Sequence, residues 1–557
     1  MSNYIISIGG TGIRVLRSII HLCDCGHIDV SELKVLLIDP DITNGSKDAV
    51  RQLIGDYNAC RDDIRKPDTV RFAPFKTKIS QAVSADWALT PVTNLDGTDQ
   101  VSSYRIQDLV NRNGHGSDEE INFMKALYSY DEYANKDMSE GFFAHPSIGA
   151  LAFARWLDES SHVKELIADM SQDAGAKGED VNVFIIASSF GGTGASGFPA
   201  VARKIKNSLK DYADKVHIAG VFLLPYFTFM RKEGTDQLLD PKKFIEGAKN
   251  AMVYYREHKV TDVFDKVYVL GVPDTDSANK SPRIIRNKYA DKGKEQDNWP
   301  HIIELYAALA AKECFSSSVA DLLKNKNSNP DRNWVGISVA KTSFFELKWE
   351  DMPGGEALRK SLSKFLLFNY MYIPAVLNEF AVHTTDGLKK KHPRRERVIW
   401  APIADIPFMT IKKWNEDTFG DNQGMMKFKR LLDYFNGHIT WLYRLLTDYE
   451  QNDERKEQLF TGLFHHQMLR NRYEIARSME KNVAVDFSSV AKNISHTDKG
   501  NVGEGSAFVT GNRVLWGYVY DEVYNLVGRD IKSKENVDDA IREILQSIYN
   551  RVSKHIN

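Results

Sequence analysis

The sequence predicts an α/β protein: a doubly wound, mostly parallel sheet, then a central helix, a second α+β domain and a helical C-terminal extension. Three observations carry the sheet. Apolar runs alternate with helix-period segments from Tyr4 to about residue 275. The runs are apolar throughout, as in strands covered on both faces. Two of them lead straight into glycine-rich turns followed by helices.

The opening unit is a strand from Tyr4 to Ile8, the turn Gly9-Gly10-Thr11-Gly12, a helix carrying Ile13, Leu16, Ile19 and Ile20, and a second strand from Leu33 to Ile38. Residues 44–140 are polar and read as helices and insertions without a clear motif. The pattern resumes with a strand at Val183 to Ala187, a second glycine-rich turn, a helix from Phe198 to Leu209 and a strand from Ile218 to Leu224. A helix from about Lys242 to His258 and a strand from Lys266 to Leu270 follow. From Pro300 the chain is apolar nearly all round, which for a helix means burial on most sides, as between two domains. An alternating segment from Val335 to Leu347, a helix from Glu356 to Phe380 and a strand-like Val398 to Thr410 make the second α+β domain, and helical patterns dominate from Gly424. The expected domains are 1–297, 298–324 (central helix), 325–423 and 424–557.

Composition excludes several classes. With 557 residues, 42% hydrophobic and 27% charged, the chain has ample material for buried cores and is not mainly disordered. The 73 basic and 75 acidic residues leave a formal charge of -2, so no global field attracts nucleic acid or an anionic membrane. The longest apolar stretch, Phe365 to Leu377, is interrupted by Asn369 and Pro374 and is too short to span a membrane. No basic, apolar leader opens the chain, and four cysteines make no disulfide framework, so a cytoplasmic protein is expected. His21-Leu22-Cys23-Asp24-Cys25-Gly26-His27 has metal-ligating residue types but lacks paired C-x-x-C spacing, and it reads as an ordinary helix end. No metal site is expected there. The basic run Lys389 to Arg397 reads as a solvated loop, and His465-His466 as structural, so a nucleic-acid partner is not expected.

Both glycine-rich turns join a strand to a helix N-terminus. Exposed N–H groups and the positive helix end favour phosphate there, and glycine lets the backbone approach closely. The second turn, Gly191-Gly192-Thr193-Gly194-Ala195-Ser196-Gly197, adds the hydroxyls of Thr193 and Ser196 as donors. Two such turns in one parallel sheet fit a di- or triphosphate. Asp39, at the end of the second strand, is placed to meet a ribose hydroxyl or simply to form a turn. No G-x-x-x-x-G-K-[ST] occurs at these turns, and Phe198 stands where a G-x-S-x-G nucleophile elbow needs glycine.

Residues Gly191 to Gly197 resemble the G-G-G-T-G-[ST]-G phosphate loop of the tubulin/FtsZ superfamily, and Gly9 to Gly12 resemble its first nucleotide loop in place and type. The order of elements is similar over about residues 1–350, most closely to divergent bacterial tubulin-like proteins. The resemblance implies GTP or GDP with Mg2+ as companion ion, held by Gly9, Gly10, Thr11, Gly12, Gly191, Gly192, Thr193, Gly194, Ala195 and Ser196, with Asp39 near the sugar. It also implies a γ-phosphate-facing turn at His145 to Ala150, including Gly149, and a base contact from Asn298, which as a helix N-cap would look the same. Hydrolysis in this family is completed by acids of the next subunit on an N-x-D-x-x-[DE] loop. Here Asn329 and Asp331 match, while Trp334 replaces the last acid, with Glu350 and Asp351 as alternative acids.

The resemblance therefore implies a GTP-binding protein that assembles with itself head to tail, nucleotide at the interface, with slow or partner-dependent hydrolysis. A non-catalytic nucleotide-binding scaffold, with a protein partner on its C-terminal helical region, is the second reading. A Rossmann-type NAD-binding oxidoreductase is the third: the first turn and Asp39 suit it, but Val15 replaces the third glycine of G-x-G-x-x-G. That reading also leaves the second turn without a role.

Overall fold

A computed structural model describes residues 1–41, 45–65, 73–83, 86, 89, 105–110, 117–138, 141–142, 145–189, 191–230, 241–271, 285–288, 300–318, 334–338, 349, 352–366, 368–369, 423–446 and a few positions beyond. In chain order the elements are β1 (Ser2–Ile8), α1 (Gly9–Asp24), β2 (Glu32–Ile38), α2 (Gly45–Ile64), β3 (Lys78–Gln81), α3 (Ile106–Val110), α4 (Asp118–Leu127), α5 (Tyr130–Ala134), α6 (Pro146–Trp156) and α7 (Ser161–Ser171). They continue with β4 (Val181–Ser188), α8 (Gly192–Ser208), β5 (Val216–Leu223), β6 (Phe227–Met230), α9 (Pro241–Glu257), β7 (Lys266–Gly271), β8 (Ile285–Lys288), α10 (Ile302–Ser316) and β9 (Trp334–Ser338). Among the described residues α11 (355–366) and α12 (Gln423–Leu446) come next.

The main sheet has seven strands in the order β3-β2-β1-β4-β5-β7-β9. The pairs β2–β1, β1–β4, β4–β5, β5–β7 and β7–β9 are all parallel, which makes the predicted mostly parallel α/β sheet. Its central strands are buried along their length, as their unbroken apolar runs require. β6 and β8 pair parallel as a separate ribbon.

Three expectations change. The segment expected to open the second domain instead contributes β9 as the seventh strand, pairing Val267 with Trp334 through Gly271 with Ser338. A β-rich stretch finds its hydrogen bonds on the open edge of β7 rather than in a sheet of its own. Both glycine-rich turns are themselves helical: α1 starts at Gly9 and α8 at Gly192, six residues before the expected Phe198. The glycines there serve close packing inside a helix as well as turning. Finally, α10 begins at Ile302 with His301 as its N-cap, the imidazole Nδ1 accepting from the Ile303 N–H at 3.1 Å. Its buried face runs nearly all round, as its composition predicts.

Contacts divide the chain into two compact units, each discontinuous in sequence: Met1–Ile19, Glu32–Gln52 and Ile79–Ser343; and Ile20–Ser31, Leu53–Lys78 and Phe344–Asn557. The first contains the sheet, with a core of residues such as Ile6, Ile8, Val183, Ile185, Phe198 and Phe222. Pro199 inside α8 cannot donate to the Ala195 carbonyl; the buried Tyr255 hydroxyl on α9 takes that acceptor instead. The second unit is built on aromatic packing. Tyr57, Phe75, Phe365, Phe435 and Tyr434 form a chain of tilted and edge-on contacts with centroids 5.1–5.8 Å apart.

Candidate functional site

The order of the strands points to one end of the first unit. From β1 the chain moves outward to β2 and β3, crosses back to β4 beside β1, and then moves outward the other way through β5, β7 and β9. The C-terminal ends of β1 and β4 therefore flank a topological switch point, where open parallel sheets bind ligands. The two glycine-rich segments stand at these two strand ends.

They touch. A β-carbon on Gly9 would lie 3.6 Å from the Gly194 nitrogen and 3.6 Å from the Thr193 β-carbon. Gly9 also has a φ of +73°, which only glycine adopts readily, and this lets α1 begin on the residue after β1. Gly12 packs α1 onto β4: a β-carbon there would sit 2.8 Å from the Ile186 carbonyl oxygen. Gly194 does the same for α8, with the Ser188 carbonyl oxygen at 2.6 Å. Their lack of a side chain is thus spent on the sheet. Gly191 is different: it is the extended N-cap of α8, and a β-carbon there would meet nothing within 4 Å among the described residues.

Donors at α8 come from the backbone. The first bond inside the helix runs from the Ala195 N–H to the Gly191 carbonyl at 3.3 Å, so the N–H groups of Gly192, Thr193 and Gly194 have no partner within the helix. The N-cap offers no side-chain cap. Thr193 and Thr11 are nearly buried. Ser196 does not supply the expected donor, because its hydroxyl donates back to the Gly192 carbonyl at 2.6 Å, one turn earlier, and is committed to its own helix.

The segment from His145 also reaches the second turn. It forms the start of α6, and a β-carbon on Gly149 would collide with Ser196 Oγ at 2.3 Å and the Gly192 carbonyl oxygen at 2.7 Å. His145 Nδ1 lies 3.0 Å from Glu132 Oε1, and Lys136 Nζ lies 3.1 Å from His145 Nε2. Burial, then the Lys136 charge, lowers the imidazole pKa despite Glu132, which favours the neutral ring. Asp39 is buried beyond β2 and accepts the Asp41 N–H on Oδ1 at 3.0 Å, so one oxygen makes the local turn. Lys47, at the start of α2, places Nζ 3.5 Å from the Asp39 carbonyl oxygen. Asn298, Asn329, Asp331, Glu350 and Asp351 lie outside the described residues.

A group that motif reading overlooks ties α1 to α10. The Arg14 guanidinium meets Glu304 Oε1 through Nη2 at 2.6 Å and Nε at 2.8 Å, and the Tyr226 hydroxyl donates to the same oxygen at 2.7 Å. All three are buried. Burial pushes the Tyr226 phenol far up, with the Glu304 charge and hydrogen bond adding to it against Arg14. Glu304 had a signal in the sequence: an acid inside a helix apolar on all sides needs a buried cation. Which cation it meets was not legible.

No family model matches the sequence, and no curated protein does. The solved structure of CetZ from Methanosaeta thermophila strain DSM 6194 is similar over 59% of this chain and 59% of that chain, at 13% identity and a TM-score of 0.28. A likeness of that size adds nothing to what the strand order and the paired glycine turns say by themselves.

Among the described residues, no helix is long and apolar enough to cross a membrane.

Proposed function

We propose that the chain is a tubulin-like GTP-binding protein whose phosphates rest on the helix starts at Gly9–Gly12 and Gly191–Ser196. The supporting observation is the close approach of these two starts at the switch point of a parallel sheet, each offering backbone N–H groups and a positive helix end to an anion. A single turn would suit one phosphate; two side by side suit adjacent phosphates. Gly149 and the His145 backbone approach the same place from α6, which fits a contact with the terminal phosphate. Asp39 stands on the sugar side. Mg2+ accompanies the nucleotide in this reading and offsets the charge that the backbone donors leave unneutralised.

The two turns hold an anion but bring no acid or base of their own to a reacting water. Turnover accordingly falls to groups outside them, with Asn329 and Asp331 of a second copy in the roles the motif suggests. A head-to-tail contact of that kind is heterologous and extends unless something caps it. With Trp334 in place of the last acid, hydrolysis is slow or depends on a partner.

The test uses Gly191, because a β-carbon there meets nothing within 4 Å among the described residues. Gly191→Val fits the extended backbone and the open space, and places a branched side chain at the mouth of α8. Its unfolding temperature should match the wild type while GTP affinity falls at least tenfold. Unchanged affinity would remove this helix start from the site. For assembly, sedimentation with GTP, with GDP and without nucleotide should give nucleotide-dependent growth, and GTPase activity per chain should rise with concentration and drop in Asp331→Ala. A monomer throughout, with a concentration-independent rate, would leave a nucleotide-binding scaffold.

A further inference from the structure

In the second compact unit, three side chains with no part in the reading above converge out of reach of solvent. His21 and Asp24 lie one turn apart at the end of α1, and His438 comes from α12. His21 Nδ1 is 3.0 Å and His438 Nδ1 is 2.9 Å from the same oxygen, Asp24 Oδ2. The ligating atoms of the three residues all lie within 4.8 Å of one another, and all three residues are buried. Both rings are held in place: Trp441 stacks on His21 with centroids 4.6 Å apart, and His438 meets His21 edge-on at 5.1 Å.

The polar accounting of this group does not close. The Tyr434 hydroxyl also donates to Asp24 Oδ2, at 3.0 Å, so three groups crowd one carboxylate oxygen. Its twin, Oδ1, has no hydrogen-bond partner among the described residues, and neither has His438 Nε2. Native proteins rarely leave a buried carboxylate oxygen bare, because a buried anion without full compensation is costly. A cation between the rings and the carboxylate would supply both the missing charge and the missing contact to Oδ1.

We infer that His21, Asp24 and His438 form a structural Zn2+ site, with Nδ1 of each histidine and both oxygens of Asp24 as ligands. Two imidazoles and a carboxylate suit zinc better than they suit Mg2+ or Ca2+, which prefer all-oxygen shells. Zinc–ligand bonds of about 2.0–2.2 Å place tetrahedral neighbours roughly 3.3 Å apart. The two N···O pairs then open by a few tenths of an ångström while the wider separation in the trio closes. Full burial matches a structural ion rather than a catalytic one, which would keep an open position. The ion would pin the end of α1 to a helix 414 residues away in sequence.

The full chain, produced in zinc-supplemented medium and desalted, should carry one zinc per chain by elemental analysis and lose it on denaturation in chelator. His438→Gln and Asp24→Asn should each fall to background. Tyr434→Phe, which removes a neighbour of the same oxygen but no ligand, should keep its zinc, so that packing damage and ligand loss are told apart. Cobalt replacing zinc should show visible d–d bands without a thiolate charge-transfer band. Wild-type protein without stoichiometric zinc and without a cobalt spectrum overturns the inference and leaves a hydrogen-bonded cluster around Asp24. A thiolate band overturns it by moving the metal to Cys23 or Cys25. Zinc retained in His438→Gln overturns it as well.

Discussion

Glu304→Gln is the sharpest perturbation of the first unit. The substitution keeps the shape and one acceptor but removes the carboxylate charge that meets Arg14, leaving a guanidinium with 9% side-chain exposure against an amide. Removing one partner of a buried pair costs about 3–5 kcal/mol, because the other charge stays buried. At 1.36 kcal/mol per tenfold, that is roughly two to four orders of magnitude in the local opening equilibrium. Hydrogen exchange by mass spectrometry reads this directly in peptides from α10 and the first turns of α1, which the triad joins. Tyr226→Phe, which loses one hydrogen bond to a charged acceptor, should cost about 1.5–3 kcal/mol. The double variant Arg14→Met/Glu304→Leu removes both charges and should cost far less than the sum of the single losses, since no buried charge remains. Protection in Glu304→Gln within a few-fold of wild type would refute the reasoning. So would a double variant whose loss equals that sum.

Gly194→Ala gains about 1 kcal/mol of helix propensity but drives a β-carbon against the Ser188 backbone, and overpacking of about 1–3 kcal/mol should make it the less stable protein in thermal unfolding. Gly191→Ala should unfold within about 0.5 kcal/mol of wild type. At the opposite end of β1, Asp173 accepts from Lys177 at 2.6 Å, Lys34 at 2.8 Å and Tyr4 at 2.6 Å. Burial alone would raise its pKa, but these bonds hold it well below the carboxylate range. A depressed native pKa gives stability that is present above the unfolded value of about 3.9 and lost as pH falls through the native value. The stability gap between wild type and Asp173→Asn should therefore be widest near neutrality and narrow below about pH 4 in acid titrations of unfolding. A gap that widens toward acid would contradict the assignment.

The sheet was legible because its strands are buried on both faces and so read as unbroken apolar runs; Val183 to Ala187 and Lys266 to Leu270 fall inside β4 and β7. The place of the glycine segments was legible too, but not their conformation. Sequence shows that glycine stands at Gly12 and Gly194, and only packing shows that each faces a strand carbonyl from inside a helix. Ser196 looked like a donor to ligand because nothing in a sequence tells a free hydroxyl from one bonded to the carbonyl four residues back. Contacts far apart in the chain were the hardest to see. Arg14 meets Glu304 across 290 residues and Asp24 meets His438 across 414, and no periodicity encodes such pairings. A charge in an apolar pattern announces that a partner exists without naming it.

The nucleotide itself is the most direct test. Purified full-length protein, stripped and then incubated with GTP, GDP or NAD, should retain a guanine nucleotide at one per chain after desalting, release it intact on denaturation, and retain no NAD. Retention of NAD in its place, or of none of the three by a folded chain, would contradict the reading of the paired helix starts as a GTP site.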